Sequence, residues 1–122
     1  MENQIVWVDI PVIDLDRAIA FYAALLDGDV KKEVFEHFRF GLLPHAHTNV
    51  SGCLIESPKE HIAEHGPLLY FNVEGRLEQA IAKAKAFDVE IIEEKFQMGE
   101  HGFRAIIRDT EGNRIALHSS IG

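Results

Sequence analysis

The chain repeats one pattern of hydrophobic residues twice, and this repeat constrains the fold more than any other feature of the sequence. In each half, a β-rich run precedes a segment with apolar residues at helical spacing, and three more short β-rich runs follow. Residues 17–20 (Arg-Ala-Ile-Ala) in the first helical segment correspond to residues 79–82 (Gln-Ala-Ile-Ala) in the second. We therefore predict an α+β fold of two βαβββ modules whose curved mixed sheets surround a cavity.

The same patterns predict where each element lies. In the first module, Asp14 is expected to cap a helix that residues 27–29 end. A polar turn at 109–113 places Gly112 where a positive φ is needed. The predicted strands are 5–12, 30–35, 38–43 and 52–56 in the first module and 68–73, 90–96, 103–107 and 114–118 in the second, whose helix is 77–87. The expected organisation is a single domain, 1–122, with one module at about 5–56, a charged linker at 57–66 and a second module at about 67–120.

Charge and composition exclude several classes of function. With 12 basic and 20 acidic residues the chain has a net charge of −8, which would repel nucleic acid and acidic membrane surfaces. No apolar run approaches the roughly 18 residues of a membrane span. The single cysteine fits a reducing compartment, and residues 1–4 lack the basic region of a secretion signal. We expect a cytoplasmic protein with neither a nucleic-acid nor a membrane partner.

Three segments resemble one known family. Residues 14–22 (Asp-Leu-Asp-Arg-Ala-Ile-Ala-Phe-Tyr) resemble its first-helix signature, and residues 70–73 resemble the opening strand of its second module. Residues 103–117 resemble its closing motif, with Thr110 where the family usually has proline. This family is the vicinal oxygen chelate superfamily of glyoxalase I, bleomycin-resistance proteins and extradiol dioxygenases. The resemblance covers nearly the whole chain and implies the fold, which hosts several chemistries.

The resemblance also implies where a metal would bind. Metal-dependent members place four His or Glu ligands at positions that face the cavity, one on the first and one on the last strand of each module. Those positions correspond here to Trp7, Leu68, Ala116 and either Cys53 or Leu54. None of them is His, Asp or Glu, and a lone thiolate does not hold a hard divalent cation. We expect the usual metal site to be absent and no cofactor to be bound.

A displaced metal site is the alternative. Asp9 and His118 each lie two residues beyond a vacated ligand position and so on the same strand face. Glu56 joins them if Leu54 faces the cavity, and these donor types suit zinc, iron or manganese. Such a set would indicate a lyase, isomerase or dioxygenase of the glyoxalase type. The other interpretation, and the commoner situation for polar residues at strand ends, is that these three residues are solvated groups at the mouth of a cavity. Further possible donors are His45 and His47.

Aromatic residues offer a different site. Trp7 fills a vacated ligand position with a flat surface suited to stacking, and Tyr70 provides a ring and a hydroxyl. Asn72 and Arg104 are polar groups nearby, while the alternative is that the aromatic residues are simply core. The candidate ligand-binding residues are Trp7, Asp9, Phe40, Glu56, Tyr70, Asn72, Phe103 and His118.

The sequence therefore predicts a metal-free member of this family that binds a small organic ligand. No catalytic residue is predicted, because the serines lack a His-acid context and Cys53 lies in an apolar strand where a thiol is inert. The resemblance implies a homodimer, since many relatives build the cavity from both subunits. The rival interpretations are the metal-dependent enzyme and a closed interaction module whose cavity Trp7 and Leu68 fill.

Overall fold

The computed structural model describes residues 5–46 and 50–122. The expectations for residues 1–4 and for His47 lie outside these ranges. The first module comprises β1 Trp7–Val12, α1 Leu15–Leu26, β2 Lys31–Val34, β3 Arg39–Leu42 and β4 Ser51–Glu56. The second comprises β5 Leu69–Asn72, α2 Leu77–Ala86, β6 Ile91–Gln97, β7 Phe103–Arg108 and β8 Arg114–Ser119. Short 3₁₀ turns occur at Lys59–His61 and Gly99–His101.

The two modules form two four-stranded sheets with the same topology. Sheet A has the strand order β1-β4-β3-β2, and sheet B has the order β5-β8-β7-β6. In each sheet the first and last strands of the module pair in parallel, and the other pairs are antiparallel. The predicted α+β fold of two βαβββ modules is confirmed.

Local signals set the ends of α1 as the sequence predicts. The Asp14 carboxylate accepts a hydrogen bond of 3.1 Å from the Arg17 N–H and so satisfies one free donor of the first turn. The helix ends at Asp27, whose φ of 52° is left-handed and tolerated by its short polar side chain. At 12 residues α1 is the longer of the α-helices in the described ranges, none of which could cross a membrane.

One hydrophobic core joins the modules. Helices α1 and α2 pack against each other and against one face of the sheets, which we call the inner face. Phe21 and Tyr22 on α1 are fully buried, and their rings contact second-module rings at centroid distances of 5.3 Å (Phe87) and 5.5 Å (Phe71). The inner faces are therefore covered by helices, whereas the opposite, outer faces are not.

The turn between β7 and β8 binds the first module through Glu111. Its Oε1 accepts hydrogen bonds from the backbone N–H groups of Ile13 (2.8 Å) and Asp14 (2.7 Å), and its Oε2 pairs with Arg17 Nε at 2.8 Å. Burial alone would raise the pKa of Glu111, but the Arg17 guanidinium and the donors from Asp14, Thr110 and Ile13 together lower it below the ordinary value. The ionised carboxylate therefore holds the start of α1 against the second module.

Asp109 in the same turn makes a second connection. Its Oδ2 accepts a hydrogen bond of 2.6 Å from the Tyr22 hydroxyl and another of 2.9 Å from Asn113 Nδ2. Burial raises the pKa of Asp109, and these donors only partly offset that effect. Asn113 also donates to the Pro11 carbonyl at 2.7 Å, and Gly112 has the expected positive φ, 103°. The turn therefore docks on both β1 and α1.

Candidate functional site

The register of sheet A settles which residues share its outer face. In the parallel pair β1–β4, Trp7 is aligned with Ser51 and Asp9 with Cys53. Leu54 is fully buried in the core beneath the helices. Because alternate residues of a strand point to opposite faces, Cys53 rather than Leu54 lies on the outer face with Trp7 and Asp9.

Trp7, Asp9 and Cys53 form a hydrogen-bonded group that we call the Asp9 cluster. The Trp7 indole Nε1 donates to Asp9 Oδ1 at 2.7 Å, and the Cys53 thiol donates to the same oxygen at 3.3 Å. The second oxygen, Oδ2, has no hydrogen-bond partner in the described part of the chain. Trp7 is 47% exposed and Asp9 is exposed as well, so the carboxylate and the indole ring face outward together.

The Cys53 thiol is held in its neutral form. Burial, and after it the hydrogen bond and charge of Asp9, raise the pKa of Cys53 to about 12. Only a negligible fraction is thiolate at neutral pH, and the thiolate is both the nucleophile and the metal ligand. Cys53 therefore acts as a hydrogen-bond donor to Asp9, in agreement with the inert thiol expected from the sequence.

Three phenylalanines stack at the β2–β3 hairpin. Phe40 lies on the outer face opposite Ile55, and its ring is 5.7 Å from that of Phe35 and 5.8 Å from that of Phe38. Phe35 and Phe38 are each 50% exposed and stack on each other at 5.1 Å. The sequence prediction included Phe40 but missed the other two, although two phenylalanines bracketing a polar hairpin turn are a readable signal.

The outer face of sheet B carries a second polar group. Tyr70, Asn72, Arg104 and His118 all share this face, because Asn72 and Arg104 are both aligned with His118. Arg104 Nη1 donates to the Tyr70 hydroxyl at 2.5 Å, and its Nε pairs with Glu93 Oε1 at 2.9 Å. Tyr70 is 47% exposed, and its ring lies 6.4 Å from the His118 ring.

Arg104 and His118 both interact with neighbouring groups of sheet B and its connecting turn. The Arg104 guanidinium lies 5.9 Å above the ring of Phe96, and its pKa is raised chiefly by the hydrogen bond to Glu93. His118 Nε2 lies 2.8 Å from the His101 carbonyl oxygen, which can only accept, so this nitrogen carries a hydrogen. Sheet B thus offers polar groups whose charge is largely compensated within the sheet.

Two predicted residues lie elsewhere. Glu56 has the same strand parity as Leu54, faces away from Asp9 and pairs with Arg39 at 3.8 Å. Phe103 packs against the core with Lys95 Nζ at 5.3 Å from its ring centroid. The structure therefore groups Trp7, Asp9 and Phe40 on sheet A and Tyr70, Asn72 and His118 on sheet B, without Glu56 or Phe103.

A cleft of about 360 Å³ separates the two edge strands, β1 and β5. Most of its walls are apolar, including Val8 and Leu69, and its polar groups are Ser51, Tyr70 and Asn72. The Ser51 Oγ is buried without a hydrogen-bond partner among residues 5–46 and 50–122. The volume is at the lower end of the range of small-molecule sites.

A family model described as the Glyoxalase/Bleomycin resistance protein/Dioxygenase superfamily matches residues 4–117. The chain belongs to this superfamily. No curated protein matches it significantly in sequence. The resemblance seen in the sequence motifs is therefore confirmed at the level of the superfamily.

Solved structures of the superfamily share the fold of this member. Fosfomycin resistance protein FosX from Listeria monocytogenes has a TM-score of 0.71 and 16% identity, with 98% of this chain and 94% of that chain covered. Glyoxalase I from Leishmania major has a TM-score of 0.70 and 21% identity, with 98% of this chain and 88% of that chain covered. A glyoxylase/bleomycin resistance protein/dioxygenase domain from Frankia sp. EAN1pec has a TM-score of 0.71 and 20% identity, with 98% of each chain covered.

The residues of this superfamily member do not fit the metal that the family resemblance implies. The four positions are occupied by Trp7, Cys53, Leu68 and Ala116, of which only a neutral thiol could ligate. Within the described ranges, no group of three or more His, Cys, Asp or Glu residues is placed to hold a metal ion. The displaced set also fails as a cluster, since Glu56 and Asp9 lie on opposite faces of sheet A.

Proposed function

We propose that this superfamily member binds a small organic ligand between the outer face of sheet A in one copy and the outer face of sheet B in a second copy. The observation that carries the proposal is the exposure of Trp7 and Tyr70, each 47%, on corresponding edge strands of the two sheets. Both side chains are held by hydrogen bonds to charged neighbours, so two ordered aromatic surfaces face outward beside polar groups.

A second copy would cover surface that the single chain leaves open. Phe35, Phe38 and Phe96 are 50%, 50% and 52% exposed, and contiguous exposed aromatic surface marks an interface or a ligand site. In the described ranges no hydrogen bond, ion pair or ring contact joins the Asp9 cluster to the Tyr70–Arg104 group. A twofold dimer would bring the two groups together twice, giving two equivalent cavities.

The groups available favour binding over chemistry. Stacking surfaces and a few fixed polar atoms are enough to hold a planar organic molecule. One FosX structure contains Mn(II) and 1S,2S-dihydroxypropylphosphonic acid, a small polar organic compound. The present chain has the stacking residues but not the donor set that a metal needs, which supports capture of a ligand as the function.

Mapping a neutral aromatic probe by NMR tests the proposal. The probe is 2-phenylethanol, added to labelled wild-type protein, and the readouts are the indole N–H signal of Trp7, the sole tryptophan, and the backbone amides of β5 and β8. Shifts in both sets are expected. Trp7→Ala should weaken binding about tenfold, because it removes a large stacking surface. Val34→Ala, which changes an exposed residue on the far edge strand of sheet A, should not.

Two results would contradict the proposal. Shifts confined to Val8, Leu43 and Leu69 would place the ligand in the cleft between the edge strands instead. An absence of shifts at millimolar probe would mean that the outer faces form no cavity for aromatic molecules.

A further inference from the structure

We infer that the Asp9 cluster is a subsite for the protonated amino group of an organic cation. This inference rests on the proposed function, because it names the class of ligand that the same cavity takes. Asp9 Oδ2 would accept a hydrogen bond from the ammonium group while the Trp7 ring lies against its carbon skeleton.

The charge of Asp9 is not compensated by the described part of the chain. Its two donors, the Trp7 indole and the Cys53 thiol, are both neutral groups. Among these residues Asp9 takes part in no ion pair, whereas Glu93 on the outer face of sheet B is paired with Arg104. The carboxylate is thus fixed in orientation by hydrogen bonds, and no described cation pairs with it.

Both donors leave free the surfaces that a cation would use. They converge on Oδ1, so Oδ2 remains available as an acceptor. The indole contributes its N–H edge to Asp9, which leaves the π-face of Trp7 as a contact surface, and a ring face attracts cations. The geometry therefore presents one anionic oxygen beside one aromatic face.

The polar groups beside Tyr70 on sheet B would not neutralise this subsite. Arg104, the cation beside Tyr70 on the outer face of sheet B, is already paired with Glu93 and stacked over Phe96. The His118 Nε2–H is directed to the His101 carbonyl. Neither of these groups beside Tyr70 is therefore directed at Asp9, which leaves the carboxylate available to a cationic ligand.

An organic cation fits this subsite better than a metal ion. A divalent cation needs several oxygen or nitrogen ligands, whereas the neighbours of Asp9 are hydrogen-bond donors. A protonated amine needs only one or two acceptors and an apolar surface for its body. Donors around a single carboxylate therefore favour the ammonium group.

A matched set of probes tests the inference on wild-type protein. 2-Phenylethylamine, 2-phenylethanol and 3-phenylpropionate have similar size and carry positive, zero and negative charge near neutral pH. Their affinities are measured at neutral pH by the fluorescence of Trp7, the sole tryptophan. The amine is expected to bind about tenfold or more tightly than the alcohol, and the alcohol more tightly than the acid, because a charge-assisted hydrogen bond is gained.

Two substitutions locate the effect. Asp9→Asn removes the charge but keeps an amide oxygen for the indole. The variant should therefore bind 2-phenylethylamine and 2-phenylethanol with about equal affinity. Asp29→Asn, at an exposed aspartate without a described hydrogen bond, removes the same charge elsewhere and should leave the preference unchanged. A dispersed amide NMR spectrum like that of the wild type shows that the Asp9→Asn variant is folded.

Each outcome separates the inference from the proposed function. Equal binding of amine and alcohol by wild-type protein would overturn the inference and leave the ligand cavity standing. Failure of all three probes to bind would overturn the cavity itself. Saturable quenching by Mn²⁺ alone that Asp9→Asn abolishes would assign the cluster to a metal ion and overturn the amine subsite.

Discussion

At the scale of single residues, surroundings decide what each group can do. The Cys53 thiol lies beside a carboxylate in a buried position, and both features disfavour its charged form. Trp7, in contrast, occupies a position that the family resemblance assigns to a metal ligand and replaces it with an aromatic surface. At this position the outer face of sheet A therefore presents an aromatic surface for stacking rather than a metal ligand.

Cys53 should react very slowly with thiol reagents in the native protein. Its pKa of about 12 leaves almost no thiolate at mildly alkaline pH, so the labelling rate should be at least about a hundredfold below that in denaturant. Because the pKa of the thiol is raised on folding, the unfolded chain loses its proton first, and stability should fall between about pH 9 and 12. Rapid native labelling would show that Cys53 is ionised or accessible.

The two tyrosines should differ in their contribution to stability. Tyr22→Phe leaves the buried Asp109 carboxylate without its 2.6 Å donor and should lower the free energy of unfolding by about 1–3 kcal/mol. Tyr70→Phe removes a hydroxyl from a half-exposed ring and should change it by less than about 0.5 kcal/mol. Urea denaturation of the two variants measures both; similar losses would contradict the role given to Asp109.

Strand alternation explains which site residues could be predicted from sequence. Alternate side chains of a strand share a face, so Asp9 lies with Trp7 and His118 lies with Ala116 in any register of the partner strand. The face of Glu56 depended instead on whether Cys53 or Leu54 pointed outward, and both are compatible with an apolar strand. Phe103 lies on the inner face with Ala105 and Ile107, because alternate residues of β7 share a face.

At the scale of elements, the close approach of β1 and β4 requires a residue without a side chain. A Cβ at Gly52 would lie 2.6 Å from the Val8 carbonyl oxygen, and a backbone atom in a parallel strand pair cannot move aside alone. Helical spacing predicted both helices to within a few residues, and capping by Asp14 predicted the start of α1. The register shifts in the β6–β7 pair were not predictable, since they arise from pairing between strands rather than from either strand.

Gly52→Ala should therefore weaken the first module. The expected loss in the free energy of unfolding is about 1–3 kcal/mol, as for overpacked interior sites. Ser51→Ala at the adjacent position is the matched control and should be neutral or slightly stabilising, because its buried Oγ has no partner among the described residues. Chemical denaturation of both variants measures the difference, and an equally stable Gly52→Ala protein would contradict the β1–β4 register.

At the scale of the whole molecule, hydrogen bonds from the turn at 109–113 connect the second module to the first. Glu111 bonds the start of α1, while Asp109 and Asn113 bond Tyr22 and β1. The closing motif that resembles that of the superfamily thus forms a structural connection between the modules. The sequence of a single chain does not indicate how a second copy would cover the outer faces.

Glu111→Gln should make the connection between modules weaker and less dependent on pH. Because the pKa of Glu111 is lowered on folding, its contribution is present above about pH 4.5 and is lost as the pH falls. The difference in unfolding free energy between wild type and variant should therefore be largest near neutral pH and shrink below about pH 4.5. Glu60→Gln, at an exposed residue, should show no such trend in urea titrations at several pH values.

Sedimentation equilibrium of the wild-type protein tests most directly whether a second copy completes the ligand cavity. The exposed Trp7, Tyr70 and phenylalanine surfaces predict a mass of twice 13.8 kDa at micromolar concentration. A mass of 13.8 kDa that persists across the concentration range would contradict the composite cavity.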